Sequence, residues 1–535
     1  MRFFLLALAS LLALPPLAAD TYPRQPGIDV QHYVFRLDLS ADVDSLQGQA
    51  TAVVRLRQDG VSELILDLAA PKDGKGMDVA AVAVEGRPAA FRREKDRLHI
   101  PLGEGRKAGE VLSVEVRYGG RPAEGLKFLA NKHGERCVFS DSWPDQAHQW
   151  LPVVDHPSDK ATAEMIVTAP ARHQVVSNGL LVETTDLPGG KRRTHWKQDQ
   201  PLPVWLYTLG IGPFAVHRAA PIGSLPLESW VFPQERDSAW QALEEPARQV
   251  VAFLSARIAP FPYDRLANVE AAGISGGMES ATAISYGEAS FNGRPLPSLV
   301  AHEVAHQWFG DAVTEADWDD VWLSEGFATY LTNCFQEHAQ GREAFVASLK
   351  RGRQGVIAAE AKIPDTPIIH RNLADMGRVL NPFVYEKAGW VLHMLRTSIG
   401  DDAFWKGLRI YFLRHRHGNA TTQDFRHAME EACGRNLEAF FRQWLTRPGV
   451  PRLTGTWSYD AAGKQVVLDL RQAQKEEAFH FPLELDLGGR KERVDLSQKQ
   501  HRFTFPAEAA PAFIDLDPRT VALIDAPGRL ERGTP

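Results

Sequence analysis

Cysteine is scarce: Cys137, Cys334 and Cys433 are the only three in a chain of 535 residues. A disulfide framework is thereby excluded as the main source of stability, and no spacing among the three suits a structural zinc finger. Each reads as a small buried hydrophobe, with room for at most one bridge. An excess of positive charge is also missing. Sixty Lys and Arg against 67 Asp and Glu leave a formal net charge of −7, so nothing invites nucleic acid. The densest cationic run, Arg414-His415-Arg416-His417, reads as a solvated helix end. Beyond the N-terminus no apolar run reaches bilayer length, which predicts no stable transmembrane segment in the mature chain. Repeats and low-complexity tracts are absent as well. The remaining composition, 44% hydrophobic and 24% charged, is that of an ordinary globular enzyme.

The N-terminus is distinctive. Arg2 precedes an apolar run from Phe3 to Leu14, followed by Pro15-Pro16-Leu17-Ala18-Ala19 and the polar Asp20. That order reads as a secretory signal peptide over residues 1–19, cleaved near Ala18 or Ala19, with export to the periplasm or medium if the source is bacterial. The alternative, an uncleaved anchor, is disfavoured by the shortness of the run and the proline pair that ends it.

A chain this long exceeds one core. From Tyr22 to Phe214 short alternating stretches such as Tyr33-Val34-Phe35-Arg36-Leu37-Asp38-Leu39 are broken by Gly, Pro and Asp turns, predicting a mostly antiparallel β domain over residues 20–216. Helical periodicity begins near Asp237, with Trp240, Leu243, Val250, Val251, Phe253 and Leu254 recurring along one face. A mainly helical domain is expected over 217–448, interrupted by a strand patch from Asn268 to Ser285. After Pro448-Gly449-Val450-Pro451 strands return, as in Gln465-Val466-Val467-Leu468-Asp469-Leu470, predicting a small β-sandwich over 449–535. The expected fold class is multidomain α+β.

Within the helical region stands His302-Glu303-Val304-Ala305-His306 and, after eighteen intervening residues, Glu325 in Trp322-Leu323-Ser324-Glu325-Gly326. Histidines at i and i+4 share a helix face one turn apart, so both imidazoles can reach one Zn²⁺. A second, antiparallel helix can bring Glu325 as third ligand and leave the fourth position open, the pattern of a catalytic rather than structural site. Glu303 then lies beside the metal as a general base. The local alternative is a core helix with two hydrogen-bonded histidines. Val304, Ala305, Trp308 and Phe309 supply its apolar face, and Gly310 is placed to end it.

Two further stretches carry chemistry less clearly. Gly276-Gly277-Met278-Glu279-Ser280 suits an edge strand along which a peptide backbone can lie, with Glu279 as counter-charge to an α-ammonium group. A glycine turn followed by an ion-paired glutamate fits it too. Tyr385 in Tyr385-Glu386-Lys387 could donate to the oxyanion of a tetrahedral intermediate, or simply pack with a wet hydroxyl.

Together these words resemble the M1 family of zinc aminopeptidases, the gluzincins that include aminopeptidase N and leukotriene A4 hydrolase. The resemblance extends to Asn419-Ala420-Thr421-Thr422-Gln423-Asp424-Phe425 and Gln443-Trp444-Leu445. It implies one Zn²⁺ held by His302, His306 and Glu325, Glu303 as base, Tyr385 as oxyanion donor, and Gly276, Gly277, Met278 and Glu279 as the substrate-binding segment, with Glu279 on the free N-terminus of a peptide. It also implies a saddle-shaped N-terminal β domain, a thermolysin-like catalytic domain and a β-sandwich, in that order. Ser280 stands where the family usually has Asn, and Ser324 replaces another common Asn. Rough alignment through Pro152-Val153-Val154-Asp155-His156-Pro157 brings Asp141 near the family's second amine contact. The competing functions are a thermolysin-like endopeptidase, an epoxide hydrolase as in one branch of the family, and a non-catalytic scaffold on the same fold.

Overall fold

The computed structural model describes residues 20–533 apart from 41, 371, 372 and 527. The expected signal peptide, residues 1–19, lies outside the described residues.

The N-terminal domain is built on an eight-stranded sheet. At its centre Ile28–Ser40 runs antiparallel to Val43–Leu56 and parallel to Lys160–Pro170. Alternation does the sorting: Tyr33, Phe35, Leu37 and Leu39 all point into the core while their neighbours do not. A second sheet orders Gln174–Ser177, Leu209–Gly212, Arg136–Ser140 and Leu126–Ala130. Its edge strand, Leu126–Ala130, faces the catalytic domain.

The catalytic domain opens with a five-stranded sheet in the order Ala215–Ile222, Leu225–Val231, Leu266–Ala271, Ala283–Gly287, Gly277–Met278. The strand patch expected between Asn268 and Ser285 is therefore only part of a larger sheet. The hairpin before the helices joins it, and the domain start expected at 217 falls inside the Ala215–Ile222 strand. Leu225–Val231 pairs parallel with Leu266–Ala271, which requires a crossover; helix α1, Arg236–Arg257, supplies it. Next come α2 (Pro297–His306), α3 (Trp322–Gln340), α4 (Arg342–Glu360) and, after a π-helical turn at Phe383–Lys387, α5 (Ala388–Ile399).

The C-terminal unit contains a four-stranded sheet with Leu453–Asp460 and Gln465–Gln472 and a three-stranded sheet centred on Phe481–Leu487. Leu468, Leu470, Leu483 and Leu485 are buried there. All three cysteines are free. Among the described residues no helix is long and apolar enough to cross a membrane.

Contacts between the N-terminal domain and the catalytic one include an aromatic cluster and a buried lysine. Trp143 meets Trp205 and Trp318 edge-on, at centroid distances of 4.5 and 5.1 Å. Lys160 extends its ammonium to Asp311 O (2.9 Å), Ala312 O (3.1 Å), Thr314 Oγ1 (2.9 Å) and Gly418 O (3.2 Å). Three donors thus serve four acceptors across the seam, three carbonyl oxygens and one hydroxyl, which take the place of water around the buried amine.

Candidate metal and active site

Helix α2 starts with Pro297 at its first position, where a missing N–H costs nothing. Val300, Ala301, Val304 and Ala305 are buried and fix its rotation. His302 and His306 then share the opposite face. The helix ends at His306, four residues before the expected Gly310. The chain tightens into a turn through Trp308 N–H to Ala305 O (3.1 Å), and Gly310 accommodates the reversal at φ +118°. A β-carbon on Gly310 would lie 2.3 Å from Ser324 Oγ and 3.0 Å from His306 Nδ1, so glycine lets α3 close onto α2.

That closure brings Glu325, in the first turn of α3, to the histidines. His302 Nε2 and His306 Nε2 are 3.1 Å apart, and each lies 3.3 Å from Glu325 Oε2. A tetrahedral zinc ion with bonds of about 2.0–2.1 Å holds its ligands about 3.3 Å from one another, so the three atoms fit three corners of one coordination sphere. Glu325 Oε2 is buried with no hydrogen-bond donor among the described residues. Two imidazole nitrogens and a carboxylate oxygen are the donor set of a catalytic zinc, and zinc is the cofactor. Burial opposes ionisation of Glu325, but the adjoining His306 and His302 outweigh it and hold the carboxyl well below its usual range.

The surrounding groups orient these ligands. His306 Nδ1 lies 3.0 Å from Ser324 Oγ and 3.3 Å from Phe309 O, an arrangement that leaves Nε2 free to ligate. Ser324 thus has a contact of its own. Tyr385, in the π-helical turn, donates from Oη to Glu325 Oε1 at 2.8 Å, and its ring stacks on His302 with centroids 6.2 Å apart. Burial and the Glu325 charge raise the Tyr385 hydroxyl far above its ordinary range, so it remains a neutral donor.

Glu303, Glu279 and His306 form a second group, with one potential ligand atom from each within 4.8 Å of the others. Burial, reinforced by the charges of Glu279 and Glu325, pushes Glu303 well above the usual carboxyl range. Glu279 is raised by the same causes, with Glu325 and Asp141 adding to burial, and its Oε1 is buried without a partner. The segment bearing it is an edge strand. Gly277–Met278 pairs on one side with Tyr286 and Ser285 and leaves its other side open. Gly276, at φ +72°, sits in open space.

Gln307 was not singled out from the sequence, although it follows the second histidine. It donates to Glu279 O (2.8 Å) and Asp311 Oδ2 (2.6 Å) and accepts from Thr282 N–H (3.0 Å). It therefore fastens the edge strand to the zinc helix. Asp141 follows the Arg136–Ser140 strand and lies near enough to raise Glu279, but its carboxylate is held by Lys127 Nζ at 2.7 Å.

Comparison with known proteins agrees with this architecture. The model of the Peptidase M1 N-terminal domain matches residues 29–206 and that of the Peptidase family M1 domain matches residues 243–444, together more than two thirds of the chain. The chain is 28% identical over 488 residues to aminopeptidase N of Streptomyces lividans, covering 83% of this chain and 53% of that protein. It is 24% identical over 467 residues to a probable aminopeptidase 2 of Sulfurisphaera tokodaii, covering 83% and 58%. The chain thus spans between half and two thirds of the length of these relatives. The crystal structure of an M1 zinc metallopeptidase from Deinococcus radiodurans superposes with a TM-score of 0.69 at 25% identity, covering 81% of this chain and 96% of that one.

Proposed function

Because the chain belongs to peptidase family M1, we propose that it is an exported zinc aminopeptidase removing single residues from the free N-termini of peptides. The observation that carries this reading is Glu279 Oε1, a buried and unpartnered carboxylate oxygen beside the three zinc ligands and Glu303. A carboxylate held out of water without a donor favours a cation, and an α-ammonium group supplies one with three N–H donors.

His302, His306 and Glu325 hold the ion, which when bound supplies Lewis acidity toward the scissile carbonyl and its attacking water. Glu303 accepts the proton of that water and returns it to the leaving amine, a role suited to a carboxyl whose basicity is raised by burial. Tyr385 turns its hydroxyl toward the developing oxyanion, staying protonated throughout. Gly277 and Met278 lie along the substrate backbone through their open edge. Glu279 fixes the amine at a set distance from the bond that breaks, so one residue is released per turnover.

Replacing Glu303 with Ala tests the base: turnover is lost while the protein retains one equivalent of zinc. Near-normal activity in the zinc-loaded variant removes Glu303 from that role. N-acetylation of a peptide substrate tests the amine contact separately, since cleavage of the acetylated peptide at the rate of the free one identifies an endopeptidase instead. Export rests on residues 1–19, and N-terminal sequencing of the mature protein should begin near Asp20.

A further inference from the structure

Asp20, the first described residue, is buried in the seam between the N-terminal and catalytic domains. Its carboxylate is fully engaged: Oδ2 accepts from Trp318 N–H at 3.1 Å and lies 2.8 Å from His156 Nε2, while Oδ1 accepts from Tyr22 N–H at 3.0 Å. Tyr22 follows it into the seam, stacking on His156 with centroids 4.7 Å apart and donating to Asp67 Oδ2 at 2.5 Å. These two residues thus bridge His156 and Asp67 of the N-terminal domain to the Trp318–Asp320 turn that leads into α3.

The backbone nitrogen of Asp20 is the unusual part. It lies 3.1 Å from Asp317 Oδ1 and 3.2 Å from Asp317 Oδ2, a nearly symmetric approach to both oxygens of one carboxylate. A peptide nitrogen has a single hydrogen to divide between them, whereas an ammonium has three donors and a charge. The local charges point the same way. Arg24 lies 2.8 Å from Asp317 and 3.5 Å from Asp20, one guanidinium between two carboxylates. His156 Nδ1 accepts from Ser158 N–H at 3.1 Å and burial pushes the ring below its ordinary range, so it meets Asp20 as a neutral Nε2–H donor. Among the described residues no second cation pairs with either carboxylate. A free α-amine on Asp20 would be that cation.

We propose that the Ala19–Asp20 bond is the processing point of the chain and that the α-ammonium group released there is a built-in ligand of Asp317, closing the seam in front of α3. The proposal rests on the export reading. Hydrolysis adds water across the bond, leaving Ala19 with the carboxylate and Asp20 with the ammonium, and a signal peptidase of the exporting cell is the catalyst. Cleavage one residue earlier, after Ala18, keeps a peptide N–H at this place and sets the new charge one residue away from Asp317.

The test begins with N-terminal sequencing of the protein exported by a bacterial host that expresses the full chain. A start at Asp20 is expected. Any other start after leader removal overturns the proposal and spares export, whereas a leader still attached overturns the export reading and this proposal with it. Two zinc-loaded chains, released from fusions to begin at Asp20 or at Ala19 and verified by mass, are then compared. The Asp20 chain is expected to melt about 3 °C or more above the Ala19 chain, and Asp317→Asn, which keeps an oxygen for Asp319 N–H, erases that difference. Equal melting temperatures of the two wild-type chains overturn the proposal whether or not the variant folds, and a difference that Asp317→Asn leaves intact does so too. In the native Asp20 chain the terminal amine should react with an acylating reagent about tenfold more slowly, or less, than in the urea-unfolded chain. Equal rates overturn the proposal as well.

Discussion

A β-carbon added to Gly277 would lie 2.3 Å from Glu303 Oε1. The edge strand that is to carry the peptide therefore runs directly against the carboxylate that is to move the proton, and only hydrogen separates them at this position. Gly277→Ala is expected to swing Glu303 off its line and to lower kcat by about 10²-fold or more, the scale of a displaced general base. Zinc content should stay at one equivalent, because none of the three ligands is touched. Steady-state kinetics with metal analysis on the same sample checks both.

Tyr385 donates its hydroxyl to Glu325 Oε1 at 2.8 Å. Tyr385→Phe keeps the ring against His302 and removes only that donor. The expected result is a fall in kcat of about 10²–10³, with a small change in KM and zinc retained. A purely structural role would instead show as zinc loss or a lowered melting temperature.

Ser324 gives His306 Nδ1 one of its two oxygen neighbours. In Ser324→Ala the ring keeps Phe309 O and loses the hydroxyl, so zinc should bind about tenfold more weakly. Competition with a chromogenic chelator measures it directly. Unchanged affinity would leave Phe309 O as the orienting group.

How far the molecule can be read in its sequence depends on the range of the interaction. The pairing of His302 with His306 follows from helical geometry alone, and the core residues of Ile28–Ser40 follow from alternation. Glu325 became legible through its flanking words, since no local rule says which helix packs on α2. The Gln307 bridge to Glu279, the Lys160 plug and the Trp143–Trp318 contact join segments up to hundreds of residues apart, and composition does not mark them. The hairpin at 215–231 lies outside the strand patch expected in the mainly helical domain, and a strand's pattern records its buried face and not its partner. The π-helical turn that presents Tyr385 has no signature among its own five residues.

Asp159 offers a pH test away from the metal. Its Oδ1 accepts from Val30 N–H at 3.2 Å, its Oδ2 is sealed without a partner, and burial pushes the carboxyl up to about 7. The folded state therefore holds this proton across pH 4 to 7 where the unfolded chain has released it. The group's contribution to stability falls as pH rises through that window, and the cost is complete above pH 7. Asp159→Asn should gain about 4 kcal/mol over wild type at pH 8 and much less at pH 5, as read by urea unfolding at the two values. A difference independent of pH would show that the carboxylate is not strained by its burial.

The central claim is that His302, His306 and Glu325 together bind one zinc ion. Anomalous diffraction from crystals of the zinc-loaded protein, measured on both sides of the zinc absorption edge, addresses it without relying on activity. The account predicts a single strong peak about 2.0–2.2 Å from His302 Nε2, His306 Nε2 and a Glu325 carboxylate oxygen. A peak elsewhere, or none at full zinc loading, would contradict it.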